Sequence, residues 1–476
     1  MPANIIQAIN SFGRLYEVGG AVRDRIRHSL DSSGNIDPER FSQYQPVEAD
    51  YLVAGIPMDQ LARLLKQFGR VELVGRSFGV IKFKVQNENC KLQTFDIALP
   101  RKEQSIGPGH KDFAIEYDPG IPIELDLGRR DFAVNAIALR IQNSKFKILN
   151  SELLDPYDGL QDIKNKLIRM VSKNTFAEDP LRMLRACQFA ARLRFSIEQD
   201  TFKAIKKNAG LISTVSPERV QQELNKMLLS DQPSVGFWLM QRSGLLKILL
   251  PELEQGADVS QPGGCHRYKV FEHSIKSSDF APKTLELRLT ALLHDVAKPR
   301  CREVFEGGAH FYGHDKLGAK MAGEILSRLK YSNQVIERVT GLIGRHMFAV
   351  PETGKGLRRL ISKAGIDGLD DLIALRRADI MAQGMKGDTE YLKAFKQAVK
   401  EELDKKPAFS IKDLKIDGND LMKELGLGPG PKLGRILKQL FELALENPKN
   451  NHKTLLLKEA RRLAAQLKYS RQDFYS

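Results

Sequence analysis

The sequence predicts an α/β domain in its first third followed by an all-helical remainder, and three observations carry that division. Short apolar runs rich in β-branched residues at 15–18, 51–54, 71–74, 80–85 and 95–99 read as strands, with turns or short helical patterns between them. From about Asn174 onward apolar residues recur at helical spacing, as Leu181, Leu184, Ala186 and Phe189 do. The length of 476 residues exceeds what one core organises, and at roughly 100 to 200 residues per domain it predicts about two to four. Gly- and Pro-rich punctuation at 261–264, 351–356 and 426–434 marks the joints. Two polar, turn-forming stretches, 28–45 and 102–120, interrupt the strand rhythm and are expected to be loops.

An apolar fraction of 42% with 28% charged residues is an ordinary soluble composition and excludes a disordered or collagenous chain. Seventy-four Lys and Arg against 59 acids leave a net charge of +15, which favours a polyanionic partner over an acidic-protein role. A solvated basic surface gives the same sign. Cys90, Cys187, Cys265 and Cys301 form no CxxC, which excludes a cysteine-rich zinc module and argues against a disulfide framework. The first twenty residues lack a signal-peptide pattern, and no segment approaches a membrane helix. A cytoplasmic protein without membrane attachment is the expectation.

The first chemical motif follows the first strand. Val18-Gly19-Gly20-Ala21-Val22-Arg23-Asp24 opens a helix, and its two glycines let backbone amides approach a phosphate while Arg23 adds a forked cation. A tight turn explains Gly-Gly equally well. Glu48 and Asp50 lie two apart at the start of a strand, so both carboxylates point to one face, where hard oxygen ligands suit Mg2+. An exposed strand edge is the alternative. Asp96, embedded in the apolar strand Phe95-Asp96-Ile97-Ala98, is a candidate third acid, and three acids around two Mg2+ ions would activate a hydroxyl and balance a leaving pyrophosphate. Asp179 and Arg182, three apart in a helical segment, are expected on one face with Glu178 buttressing the guanidinium. Such a pair either complements the edge of cytosine or adenine or is a solvated salt bridge.

VGGAVRD, the Glu48-x-Asp50 pair, VGRSFG (74–79), RRDFAVN (129–135), DPYDGL (155–160), EDPLRMLR (178–185) and ERV (218–220), in this order, resemble the class II tRNA nucleotidyltransferases of the polymerase β superfamily. That family comprises the CCA-adding enzymes and bacterial poly(A) polymerases. The resemblance implies that Glu48 and Asp50 carry the metals. It also implies that Gly19, Gly20, Arg23 and Arg130 hold the nucleotide and that Asp131 and Asn135 help with the ribose. Asp179 and Arg182 then resemble the amino-acid template that selects CTP and ATP, and Arg185 reaches phosphate or base from the next turn. Two departures stand out: Glu48 occupies a position where the family normally has Asp, and Gln188 one where many relatives have Arg. The segment at 102–120 is a candidate for the flexible loop that switches selection from C to A.

Six of the nine histidines fall between His266 and His346. Each alone is an ordinary core or surface residue. His273, His294, Asp295 and Asp379, with His314 and His346 between them, form an ordered set that resembles the HD phosphohydrolase superfamily over 269–382. It implies a second divalent metal (Ni2+, Mn2+ or another) assisting hydrolysis. The last thirty residues carry seven Lys or Arg and two acids. A basic helix there, and GPGPKLGR (428–435), resemble an RNA-contacting tail; a solvated helix after a glycine turn is the structural alternative.

The expected organisation is a polymerase-β-like α/β palm (1–172), an all-helical nucleotide-selecting neck (173–255), an HD-type helical body (256–400) and a helical RNA-binding tail (401–476). The expected activity is Mg2+-dependent, template-independent addition of CCA to tRNA 3′ ends from CTP and ATP. The alternatives are a CC-adding or A-adding enzyme, a poly(A) polymerase, a phosphohydrolase whose transferase half Glu48 impairs, and a non-catalytic RNA-binding protein. Oligomeric state is not legible.

Overall fold

The computed structural model describes residues 1–46, 48–74, 79–86, 92–105, 113–142, 153–261, 267–305, 308–384 and 389–469. Most of VGRSFG, the centre of the 102–120 segment, His266 and the joint at 262–264 therefore lie outside the described residues. The chain forms two compact units, Met1–Glu254 with Arg328–Lys330, and Gln255–Ser327 with Tyr331–Ser476.

The first unit is built on a seven-stranded sheet: β1 (Arg14–Val18), β2 (Asp50–Ala54), β3 (Arg70–Val74), β4 (Val80–Gln86), β5 (Leu92–Ala98), β6 (Ala138–Ile141) and β7 (Leu153–Leu154), in the order β3-β4-β5-β2-β1-β6-β7. Only β2 and β5 run parallel, and their register sets Asp50 opposite Asp96. Alternation along the strands divides the apolar residues between two faces. Leu15, Tyr51, Val53, Ile81, Phe83 and Ile97 pack under α1 (Ala3–Asn10), which contributes Ile5, Ile6 and Ile9. Tyr16, Val18 and Leu52 face the other way, onto Ile123, Leu127 and Ala136. Asp50 and Asp96 share this second face, at the rim where β1 ends.

After β1 the chain turns at Gly19 into α2 (Gly20–Ser29). The stretch expected as a loop at 28–45 contains a bridge between Leu30 and Ile36 and a helix, α3 (Pro38–Gln43). Asp37 caps that helix by accepting from the amides of Glu39 and Arg40, and Pro38 supplies a pre-set first turn. Arg25 and Glu17, 1% and 0% exposed, form a buried ion pair at 3.1 Å. Arg25 also donates to the carbonyls of Phe41 (3.1 Å) and Tyr44 (2.5 Å), so α3 and the chain leading to Glu48 are tied to the sheet. The second expected loop is a hairpin, Arg101–Ser105 paired antiparallel with Phe113–Tyr117. Its first strand, RKEQS, carries no apolar residue, and the Gly, Pro and charged residues around the second conceal the alternation of Phe113, Ile115 and Tyr117.

Helices α4 (Met58–Lys66), α5 (Leu181–Leu193) and α6 (Pro217–Leu228) belong to the same unit. The palm and neck expected as separate segments form one compact body. Phe132, fully buried beside the sheet, meets Phe189 of α5 edge-on at 5.8 Å, and Asp131 next to it is bonded to Arg185 of α5.

Among the described residues the second unit is helical apart from a short hairpin, Glu303–Phe305 with Gly308–His310, and the first unit adds a two-strand parallel pair, Leu167–Ile168 with Ser196–Ile197. The helical remainder expected from the sequence is observed, with these short pairs added to it. Its principal helices are α7 (Val270–Phe280), α8 (Leu285–Leu293), α9 (His314–Arg328), α10 (Asn333–Ile343) and α11 (Ile366–Ala382). The tail, α12 (Gly418–Leu425), α13 (Pro431–Glu446) and α14 (Lys453–Tyr469), closes over an apolar cluster of its own, Leu421, Leu433, Ile436, Leu440 and Leu456, within the second unit.

Phe132→Ala removes the ring that joins palm to neck. It is expected to destabilise the first unit by about 3–5 kcal/mol, seen as a lower urea midpoint, and Phe132→Leu to cost clearly less.

Candidate active site and metal centre

The head site assembles where β1, β2 and β5 reach the rim. Val18 pairs with Asp50, so Gly19 begins its turn beside that carboxylate. Gly19 has φ +75°, a conformation that favours glycine, and Arg130 Nη1 passes within 2.8 Å of where a Cβ would stand. Glu48, Asp50 and Asp96 are all solvent-accessible. Enclosure at the sheet rim pushes the Asp50 carboxyl up, Asp96 and Glu48 push it further, and Arg130 opposes them. Mutually repelling carboxylates of this kind fit a hard divalent cation. An open cleft of about 1450 Å³ has these acids in its lining together with Glu17, Arg25 and Lys82; Gly20, Arg130 and Asp179 do not line it.

Asp126, fully buried, fixes the two arginines that precede Asp131. It accepts from Arg129 Nε (3.0 Å) and Nη2 (2.8 Å) and from Arg130 Nη2 (3.3 Å). Nothing in the sequence reading assigned it a role, yet its spacing, three and four residues before the arginines, is the helical ion-pair signature.

Three residues implied as nucleotide contacts are hydrogen-bonded to one another. Arg23 is 2% exposed; its Nε and Nη2 donate to Asp24 (2.9 and 2.8 Å) and its Nη1 to Asn135 Oδ1 (2.7 Å). Asn135 donates in turn to Asp131 Oδ1 (2.9 Å). Asp131, 7% exposed, takes two bonds on Oδ2 from Arg185 Nε (2.9 Å) and Nη2 (2.7 Å). Burial would raise the Asp131 carboxyl, but Arg185 and Asn135 outweigh it and hold it below its ordinary range.

On the neck, Glu178 buttresses Arg182 as expected, at 3.1 Å, and Arg182 Nη2 also donates to the Arg129 carbonyl (2.7 Å). Asp179 differs from expectation. It stands in extended backbone, φ −141° and ψ 100°, between a short helix Thr175–Glu178 and α5. Pro180 explains this, because its ring excludes the residue before it from helical geometry. The carboxylate of Asp179 pairs with Arg219 of α6 at 2.7 Å, a partner the sequence reading placed in a motif but gave no role.

In the second unit, four histidines and two aspartates converge. His273 lies on α7, His294 caps α8 with Asp295 after it, His314 opens α9, His346 follows α10, and Asp379 lies on α11. Their Nδ1 atoms approach backbone carbonyls: Ala382 at 3.4 Å, Ala291 at 2.8 Å, and Phe311 and Ile343 at 2.7 Å each. A carbonyl only accepts, so Nδ1 carries the proton and Nε2 is left as a donor for a metal. His273 Nε2 lies 2.9 Å from Asp379 Oδ1, and His294 Nε2 lies 3.1 Å from Asp295 Oδ2. Burial opposes it, yet His294 and Lys298 hold the Asp295 carboxyl well below its usual range. Burial lowers the His346 ring to about 4, which keeps it neutral near pH 7. Buried, nitrogen-rich and carboxylate-containing, this donor set fits a transition metal.

Three family models match the chain: the poly(A) polymerase head domain over residues 15–169, the probable RNA- and SrmB-binding site of polymerase A over 194–256, and a putative tRNA nucleotidyltransferase domain 2 over 312–460. The A-adding tRNA nucleotidyltransferase of Deinococcus radiodurans is 36% identical over 337 residues, 67% of this chain and 75% of that protein. The CC-adding tRNA nucleotidyltransferase of Thermus thermophilus is 34% identical over 338 residues, 68% and 74% of the two chains.

The chain belongs to the class II tRNA nucleotidyltransferases.

The fold agrees with that of solved relatives. A Bacillus stearothermophilus CCA-adding enzyme in complex with CTP superposes with a TM-score of 0.67 at 19% identity, covering 98% of both chains. A Thermotoga maritima CCA-adding enzyme complexed with tRNA gives 0.56 at 20% identity over 96% of this chain and 94% of that one. For this nucleotidyltransferase, the pairing of Asp131 with Arg185 makes a measurable prediction. An acid whose folded-state pKa is lowered contributes stability that is complete above the unfolded value, about 4, and is lost as pH falls through the folded one. The thermal midpoint of Asp131→Asn is therefore expected below that of the parent at pH 7, with the gap narrowing under about pH 4.

Proposed function

We propose that the chain adds CCA to tRNA 3′ ends, using CTP and ATP and releasing pyrophosphate. One observation carries this reading: the β2–β5 register sets Asp50 opposite Asp96 at the rim where Gly19 and Arg130 meet, so carboxylates and phosphate-binding groups share one edge. Glu48, Asp50 and Asp96 are the residues that would hold Mg2+, which when bound acidifies the attacking 3′ hydroxyl and balances charge on the leaving pyrophosphate. Gly20 leaves the N-terminal amides of α2 open to the triphosphate, and Arg130, steadied by Asp126, lies between that turn and Asp50. Arg23, Asp131 and Asn135 act as positioning residues in this reading, because their polar groups are occupied within the protein.

Base selection falls to Arg182 and Asp179, each held by a second residue that aims it: Glu178 and the Arg129 carbonyl for the first, Arg219 for the second. Arg185 joins their helix to the palm. The hairpin at 101–117 is the element proposed to adjust selection from C to A. The tRNA acceptor end is held by shape and phosphate contacts, and a cytoplasmic location is part of the same proposal. Among the described residues no helix is long and apolar enough to cross a membrane.

A second reading, for the other unit, is favoured by the convergence of five metal-type side chains around Asp295: His273, His294, Asp295 and Asp379 would hold a divalent transition metal that assists phosphoester hydrolysis.

Both readings are tested with the full chain, Mg2+, CTP and ATP on tRNA transcripts lacking CCA, lacking only the final A, or complete. Addition of C, C and A that then stops is expected; A-only, CC-only or unlimited A addition would replace the product assignment. Asp50→Ala is expected to lower transfer at least about 10³-fold, since the metal's charge stabilisation is worth several kcal/mol, and to leave phosphoester hydrolysis intact. Asp295→Ala is expected to do the reverse.

A further inference from the structure

Asp24 serves three guanidiniums. Arg23 occupies both of its oxygens, Nε donating to Oδ1 at 2.9 Å and Nη2 to Oδ2 at 2.8 Å. Arg27, one turn further along α2, reaches Oδ1 at 3.3 Å, and Arg192, near the end of α5, lies 3.8 Å from Oδ2, beyond hydrogen-bond distance. Glu223, the other acid beside Arg192, accepts from Arg185 (3.4 Å) and Lys226 (2.9 Å). Asp24 is thus already saturated by Arg23, and Arg27 and Arg192 bring positive charge in excess of it.

The electrostatics of the cluster agree. Burial and the Arg23 guanidinium push the Arg192 cation down from its ordinary value, Arg27 adds to the effect, and Asp24 opposes it. Arg27 lies over the Phe195 ring, 5.5 Å from its centroid, and is 36% exposed; Arg192 is 47% exposed. Two forks therefore reach solvent side by side, the arrangement in which guanidiniums take a phosphate. Gln188 stands between Arg185 and Arg192 on the same stripe of α5, is 1% exposed, and among the described residues its Nε2 has no hydrogen-bond partner. A buried donor left unpaired is costly, and the oxygen of an incoming anion would satisfy it.

Arg27 lies seven residues past Gly20, about 10 Å along α2 from the turn proposed to meet the triphosphate. Arg192 lies ten residues past Arg182, about 15 Å along α5. A nucleotide whose phosphates sit on the α2 amides does not extend that far, whereas an RNA strand carries a phosphate on every nucleotide. We infer that Arg27 and Arg192 clamp one backbone phosphate of the tRNA strand whose 3′ hydroxyl enters at Asp50 and Asp96. This rests on the transferase reading above. The clamp carries no sequence information; it fixes the register of the strand and leaves base choice to other residues. Arg27 belongs to the helix that begins at the Gly-Gly turn, and Arg192 to the helix that carries Arg182, so one phosphate engages both helices.

The test uses the full chain and a tRNA transcript lacking CCA. Affinity is read by fluorescence anisotropy over a series of KCl concentrations without CTP or ATP, and transfer is read separately. Arg192→Ala is expected to weaken binding about tenfold and to flatten the slope of log affinity against log salt by roughly 0.7 to 0.9, the value of one phosphate contact. With tRNA saturating, kcat and the KM for CTP are expected to stay those of the parent. Arg27→Ala is expected to flatten the slope equally, and the double variant no further, because both arginines hold one phosphate. Arg192→Lys keeps the charge without the fork, so it is expected to keep the parent's slope and recover part of the affinity. A role confined to steadying Asp24 would leave every slope unmoved. Unchanged slopes in both alanine variants overturn the clamp, and so does a raised KM for CTP with tRNA affinity intact, which gives the cluster to the nucleotide. A parent chain that binds tRNA and transfers nothing sinks the transferase reading alone, since the slopes are read without turnover.

Discussion

The first unit depends on one buried carboxylate. Asp131 follows directly on the arginines that Asp126 steadies, and it accepts from three sources: its neighbour's amide (Phe132, 2.8 Å), Asn135 and Arg185. Through Asn135 it reaches Arg23, hence the turn at Gly19 and Gly20; through Arg185 it reaches α5, hence Arg182. The sheet rim at Gly19 and helix α5 are therefore coupled through a single ionised group. A charge so buried persists only while its partners remain in place, because breaking one side leaves the other uncompensated. That is why palm and neck form one compact body in which a fully buried aromatic contact, Phe132 on Phe189, lies alongside the ion pair.

Much of this was legible in the residues. The β-branched runs placed five strands within a few residues of their observed limits, and the acid embedded in an apolar run, Asp96, pointed to a partner strand for Asp50. What stayed hidden follows physical lines. Helix α3 is six residues long and buries one large apolar residue, Phe41, so no periodicity announces it, although Asp37-Pro38 is a start signal in plain sight. The extended backbone of Asp179 was also readable, from Pro180. The bonding of Arg23 was not: Asp24 is adjacent in sequence, but Asn135 lies 112 residues away, and only the fold brings it to the guanidinium.

Charge shows the same contrast between composition and arrangement. The excess of +15 suggested a polyanion, and the basic tail seemed its natural contact. In the tail Lys453 pairs with Asp420, Arg461 with Glu424, and Arg462 with Glu459, so part of that charge is already satisfied within the helices that carry it. Both chemical centres are organised by acids, Asp50 and Asp96 at the rim and Asp295 among histidines. In the second, the sequence supplied all six side chains but not their convergence, because the helices that carry them meet only in three dimensions.

The most direct test of the central claim is a double-mutant cycle between Asp131→Asn and Arg185→Gln, read as kcat/KM for CTP against ATP on a tRNA transcript lacking CCA. If the pair transmits selection from neck to palm, either change alone erodes the CTP/ATP ratio and the double variant erodes it no further. Losses that multiply in the double variant would show two independent roles and contradict the account.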